Sequence, residues 1–219
     1  MTYEGLTVGQ RTFVWMWRRI STMAVGFPDP FVADHVRTEG VRGYLAWAKS
    51  AFAMIEMLEK RWGPIEAQLI LGLAALWSGC RWCGVGHLLS ANLELFKREG
   101  ELGPIDERQI PELQLMRDEE VLEVLRKQLS GPRWEQMRRI MDRQYLLHSG
   151  QATEESRDDE LLQTANVIWS WVIECSITAM DTDPATIPPQ TPIGKERKLL
   201  ARYREARAAQ DAKDAGSEG

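Results

Sequence analysis

Between Tyr44 and Trp62 the apolar residues fall at Leu45, Ala48, Phe52, Ile55 and Leu58, a spacing that tracks 3.6 residues and predicts an amphipathic helix. Gly63-Pro64 interrupts the pattern, and Pro64 suits the first turn of a new helix, where its missing N–H costs nothing. From Pro64 to Trp77 the chain is apolar on every side after Gln68, which predicts a helix buried all round. Ser78-Gly79 ends it, and a further helix is predicted from Cys80 to about Arg98, with Gly100 as its stop. Upstream, Arg11 to Val25 reads as a helix rich in Trp and Met that "GFPDPF" breaks, and the first ten residues read as loose.

Downstream, Glu99 to Pro111 reads as a polar connection. Asp118–Leu129 and Pro132–Leu147 read as amphipathic helices, and Glu160–Met180 as a long, largely apolar one. Alternating β-branched runs with Asn-Gly turns are absent, so the fold class is all-α. "DPATIPPQTPIG" places four prolines in twelve residues and predicts an extended linker. Lys195–Ala212 is highly charged with a thin apolar stripe of Leu199, Tyr203 and Ala206, and the final "DAGSEG" reads as disordered. The division predicted is a helical domain over 1–182, a Pro-rich linker over 183–194 and a charged C-terminal helix and tail over 195–219.

Composition narrows the classes. The 219 residues suffice for one large core. The net charge is −5, with no basic cluster interleaved with aromatics, so nucleic acid is not an expected partner. The longest apolar run, Leu69–Trp77, is nine residues, against the ~18–20 that a bilayer crossing needs, so no membrane partner is expected. The N-terminus carries Glu4 and no apolar core, unlike a signal peptide. Three cysteines are an odd number and make no secreted disulfide framework, which favours the cytoplasm.

Cys80, Cys83 and His87 place three scarce residues within eight positions. On a helix opening at Cys80, Cys83 and His87 share one face a turn apart, and the imidazole points back toward the sulfur. The positive end of the helix dipole and a nearby base both favour a thiolate. A Cys-x-x-Cys pair can also close a disulfide between its own members. A zinc site would need a fourth ligand from a second pair, and haem attachment would need His directly after the second Cys, where Gly84 stands. No metal and no bound cofactor are expected. Cys175, His35 and His148 read as packing residues.

The segment "QLILGLAALWSGCRWCGVGH", Gln68 to His87, resembles the alkylhydroperoxidase D-like / carboxymuconolactone decarboxylase superfamily. Its Cys-x-x-Cys-x-x-x-His part is matched in full, and a looser likeness runs from Tyr44 to about Met180. The resemblance implies an alkylhydroperoxidase D-like bundle that oligomerises through its helices into trimers or hexamers. It implies a thiol-dependent peroxidase or disulfide reductase acting on organic hydroperoxides. Cys83 would attack the peroxide, Cys80 would resolve the sulfenic acid, and His87 would belong to the proton relay. A dithiol such as a lipoyl-carrying protein would supply electrons.

The family's acid, twelve residues before the first Cys, is Gln68 here, which keeps a hydrogen-bonding group but loses a base. Helical rise puts Gln68 and His87 about a turn apart in depth, a separation suited to a relay through water. Arg81 would favour a thiolate if near the sulfurs, or sit exposed at the helix start. Trp82 and Trp77 would wall a pocket or pack against neighbours. Two other functions fit the same sequence: a decarboxylase-like lyase with no redox role, and a non-enzymatic helical interaction or redox-sensing protein.

Overall fold

The structure, a computed structural model, describes residues 3–179 and 182–217; among them the ordered elements are all helical, with no strand. Helix α1 spans Val8–Val25 and starts one turn into the stretch expected to be loose. Its cap explains this: Thr7 Oγ1 accepts from the Gln10 N–H at 3.3 Å, and Gln10 Oε1 accepts from the Thr7 N–H at 2.9 Å. Helix α2 spans Val32–Trp62 and bends at Gly40, whose φ of +72° only glycine adopts cheaply. Its first piece, before Gly40, is not announced by the hydrophobic pattern. Phe13 and Trp17 of α1 pack edge-on against Tyr44 of α2, and the Tyr44 hydroxyl donates to Asp29 at 2.5 Å.

Helix α3, Pro64–Ser78, is the axis of the molecule, with Ile65 and every residue from Ala67 to Leu76 buried. Gly79 (φ +82°) closes it in the left-handed conformation, and the next N–H, that of Cys80, donates to Ala75 O at 2.9 Å. Helix α4, Arg81–Glu99, then returns alongside α3. Their approach is close because Gly72 has no side chain: a Cβ there would stand 2.7 Å from Leu88 of α4.

A 3₁₀ turn at Glu107–Gln109 and the short α5, Ile110–Leu113, form the connection beyond α4, and Ile105, Ile110 and Leu113 are buried in it. Helices α6 (Asp118–Gln128), α7 (Glu135–His148) and α8 (Arg157–Cys175) follow. The long apolar helix therefore ends at Cys175 and a 3₁₀ turn follows over Ile177–Ala179; the expected end at Met180 lies outside the described residues. Side chains of α7 and α8 reach the α3 backbone: Gln144 Nε2 donates to Ile70 O at 3.0 Å and Trp169 Nε1 to Leu71 O at 3.1 Å.

The proline-rich stretch 183–194 is packed rather than extended. It contains 3₁₀ turns at Pro184–Thr186 and Pro192–Lys195 and buries Ile187 and Ile193. Helix α9, Arg197–Ser217, lays Leu199 and Tyr203 against Leu89 and Leu93 of α4. It runs through most of the tail expected to be disordered, whose last two residues lie outside the described ones. Among the described residues, no helix is long and apolar enough to cross a membrane.

Candidate active site

The turn that closes α3 sets the first sulfur. Cys80 follows Gly79 and caps α4, its Sγ accepting the Cys83 N–H at 3.4 Å. Cys83, in the first helical turn, lies beside it with a Cα–Cα distance of 5.4 Å, and the two form a disulfide. Both are buried: Cys80 is 0% and Cys83 3% exposed. Reduction would place a thiolate at the N-terminal end of α4, where unpaired N–H groups of the first turn favour negative charge.

His87 sits one turn further along α4 and is also buried. Its Nδ1 is 2.7 Å from Gln68 Oε1 on α3. Gln68 and His87, placed in sequence about a turn apart and joined through water, thus meet directly. With the amide oxygen facing the ring, Nδ1–H donates and Nε2 carries the lone pair. The other half of the amide, Gln68 Nε2, is buried without a partner. Trp169 of α8 covers the imidazole with ring centroids 5.0 Å apart. Burial lowers the His87 pKa to about 3, so the ring is neutral at neutral pH. An amide lends it hydrogen-bond geometry but no charge.

The flanking residues divide. Arg81 is half-buried and its Nε donates to Gln114 Oε1 at 3.4 Å. Trp82 packs edge-on against Phe27 and Phe31, and Trp77 lies tilted against Tyr145. Cys175 is a free thiol on α8 whose pKa burial raises, as suits a packing residue. Among the described residues, no cluster of three or more His, Cys, Asp or Glu side chains is arranged to hold a metal ion.

Two contributors were not singled out in sequence. Trp169 carries no local signal, because only the packing of α8 on α3 brings it to His87. Gln190 donates its backbone N–H to Gly86 O at 3.1 Å and to Ser90 Oγ at 2.7 Å, tying the proline-rich stretch to α4 beside the site. Gly86, a glycine inside a helix, was the available clue: a Cβ there would lie 2.4 Å from Gln190 Nε2.

In comparisons with known proteins, no family model, no curated sequence and no solved structure matches this chain.

Proposed function

We propose that this chain is a thiol-dependent peroxidase or disulfide reductase of the alkylhydroperoxidase D-like kind, cycling Cys80 and Cys83 between dithiol and disulfide. One observation carries the reading: two sulfurs within bonding distance at the opening of α4, with a neutral imidazole fixed one turn away. In the reduced protein, the Cys83 thiolate attacks one peroxide oxygen and the O–O bond breaks. Cys83 becomes a sulfenic acid, and the alcohol leaves with a proton supplied at the site. Cys80 then attacks the sulfenic sulfur, the disulfide forms and water departs. An external dithiol, such as a lipoyl group on a carrier protein, returns two electrons and two protons and is itself oxidised to a disulfide.

In this reading His87 accepts the thiol proton at Nε2. Its low pKa in the disulfide form reflects a site with no anion facing the ring; a thiolate one turn away would favour the imidazolium. Assembly through helices belongs to the same reading. Trp15 and Met23 of α1 and Phe52 of α2 are more than half exposed, and such surfaces favour self-association.

The test is stopped-flow reaction of the reduced protein with cumene hydroperoxide and hydrogen peroxide, followed by mass spectrometry. The expected product is two mass units lighter and bridged between Cys80 and Cys83, and Cys83→Ser abolishes its formation. A reduced protein that gains neither sulfenic acid nor disulfide, with an ordinary thiol pKa at Cys83, overturns the proposal in favour of a binding or structural role.

A further inference from the structure

We propose that the proline-rich stretch 183–194 is a gate over the Cys80–Cys83 centre, latched to α4 through Gln190, so that its lifting controls the redox cycle; this rests on the redox reading above. The problem it answers is access. Cysteines only 0% and 3% exposed offer little to a peroxide or a dithiol, so part of the structure must move aside.

The geometry identifies the part. At 100° per residue, Cys83, Gly86, His87 and Ser90 fall within about 100° of one face of α4. α3 takes one flank of that face through the His87–Gln68 bond, and α8 covers the imidazole with Trp169. The other flank, Gly86 and Ser90, is covered by the strap. Gln190 N–H is shared between Gly86 O and Ser90 Oγ, and the same Ser90 hydroxyl donates to Gly86 O at 2.9 Å. Gly86 leaves the space in which the Gln190 side chain lies, with Gln190 Nε2 turned to Pro188 O at 3.1 Å.

The strap is firm at its C-terminal end and lightly tied in the middle. Ile193 is buried beside Leu89, Leu93 and Tyr203; Lys195 Nζ donates to Met23 O; and Lys97 pairs with Glu196 at 2.6 Å. Between Ile187 and Ile193, the bonds from the strap to α4 are the two made by one N–H. α3 and α8, by contrast, belong to the core and cannot withdraw without unfolding it. The segment that can bow outward is therefore the one holding the Gln190 latch.

The step gated is disulfide exchange. A dithiol thiolate attacks one sulfur of the pair, a mixed disulfide forms, and the second thiol of the reductant closes its own ring and leaves two thiols on Cys80 and Cys83. The experiment measures reduction of the full-length oxidised protein by dithiothreitol, quenched by alkylation and read as two added alkyl groups. Gln190→Pro removes the latch N–H, and Gly86→Ala pushes on the same contact from α4. Each is expected to accelerate reduction about five- to thirtyfold, the worth of one or two hydrogen bonds expressed as an opening equilibrium. Leu125→Ala, a core truncation on α6, controls for general loosening and is expected to change the rate less than twofold. Unchanged rates in both Gln190→Pro and Gly86→Ala, or equal acceleration in Leu125→Ala, overturn the gate. A disulfide that dithiothreitol never opens in any variant overturns instead the redox reading beneath it.

Discussion

At the scale of single residues, the choice of an amide at position 68 decides how the imidazole behaves. Gln68 accepts from His87 Nδ1 at 2.7 Å without charge, and burial then keeps the ring pKa near 3. Gln68→Glu would set a carboxylate at that distance, favour the imidazolium and raise the His87 pKa. The expected outcome is faster peroxide turnover, by roughly tenfold or more, since positioned acid–base groups contribute about 10²–10⁴. Stopped-flow traces of the two proteins decide it, and an unchanged rate would count against the proposed role of Gln68 in proton transfer. The same burial makes the fold acid-sensitive. Unfolded His87 takes up a proton below about 6.5, whereas the folded ring refuses it down to about 3. The unfolded chain binds more protons in that window, so stability falls as pH drops, by up to about 1.4 kcal/mol per pH unit. His35 adds to this. It is fully buried among Phe31, Tyr44, Trp47 and Trp171. Burial lowers its pKa; Asp29, the nearby Val172 backbone and Asp34 oppose the shift without reversing it. Urea midpoints at pH 7 and pH 5 are expected to differ, and His35→Phe is expected to shrink the difference.

At the scale of elements, the helices whose signal is local were legible and the contacts that join them were not. The all-round apolar α3 and its Pro64 start follow from side-chain periodicity and the missing proline N–H, both visible within fifteen residues. The same holds for Cys83 and His87, whose spacing sets them a turn apart on α4, and for Cys80, which caps that helix. The first piece of α2 was missed because Gly40 cuts it too short to show a period. The strap read as an extended linker because prolines carry a local message only, whereas its place is set by Gly86 and Ser90 about a hundred residues away. Helix α9 shows how strongly such distant partners act. Its exposed face is charged and its apolar stripe thin, yet Tyr203 OH donates to Glu107 Oε2 at 2.7 Å, where Asn92 Nδ2 also donates at 2.7 Å. Arg207 Nη2 donates to the same phenol oxygen at 3.0 Å. Tyr203→Phe deletes the centre of this buried chain and leaves Arg207 and Glu107 short of partners. The expected cost is about 2 kcal/mol, concentrated in α9 docking. Amide exchange is expected to quicken along α9 while α3 stays protected; equal quickening in both would show that α9 is not a separate unit of stability.

At the scale of the whole molecule, the disulfide must be dispensable to the fold if its function is to open and close. The bond joins residues three apart, so it constrains the unfolded chain little: a loop this short contributes about 2 kcal/mol on the loop-entropy scale. The rest of the structure does not depend on it. α3 is buried continuously from Ala67 to Leu76, α7 and α8 bond directly to its backbone carbonyls, and Arg61 grips Asp158 with two hydrogen bonds of 2.7 Å across α2 and α8. Reduction is therefore expected to leave the far-ultraviolet circular dichroism unchanged. It is expected to lower the Tm by about 4–8 °C, the shift that ~2 kcal/mol produces in a chain of this size. Calorimetry of the oxidised protein, the reduced protein and the Cys80→Ser/Cys83→Ser variant checks this directly. Loss of helix on reduction would mean that the bond holds the fold together, and a bond with that duty cannot be broken once per turnover.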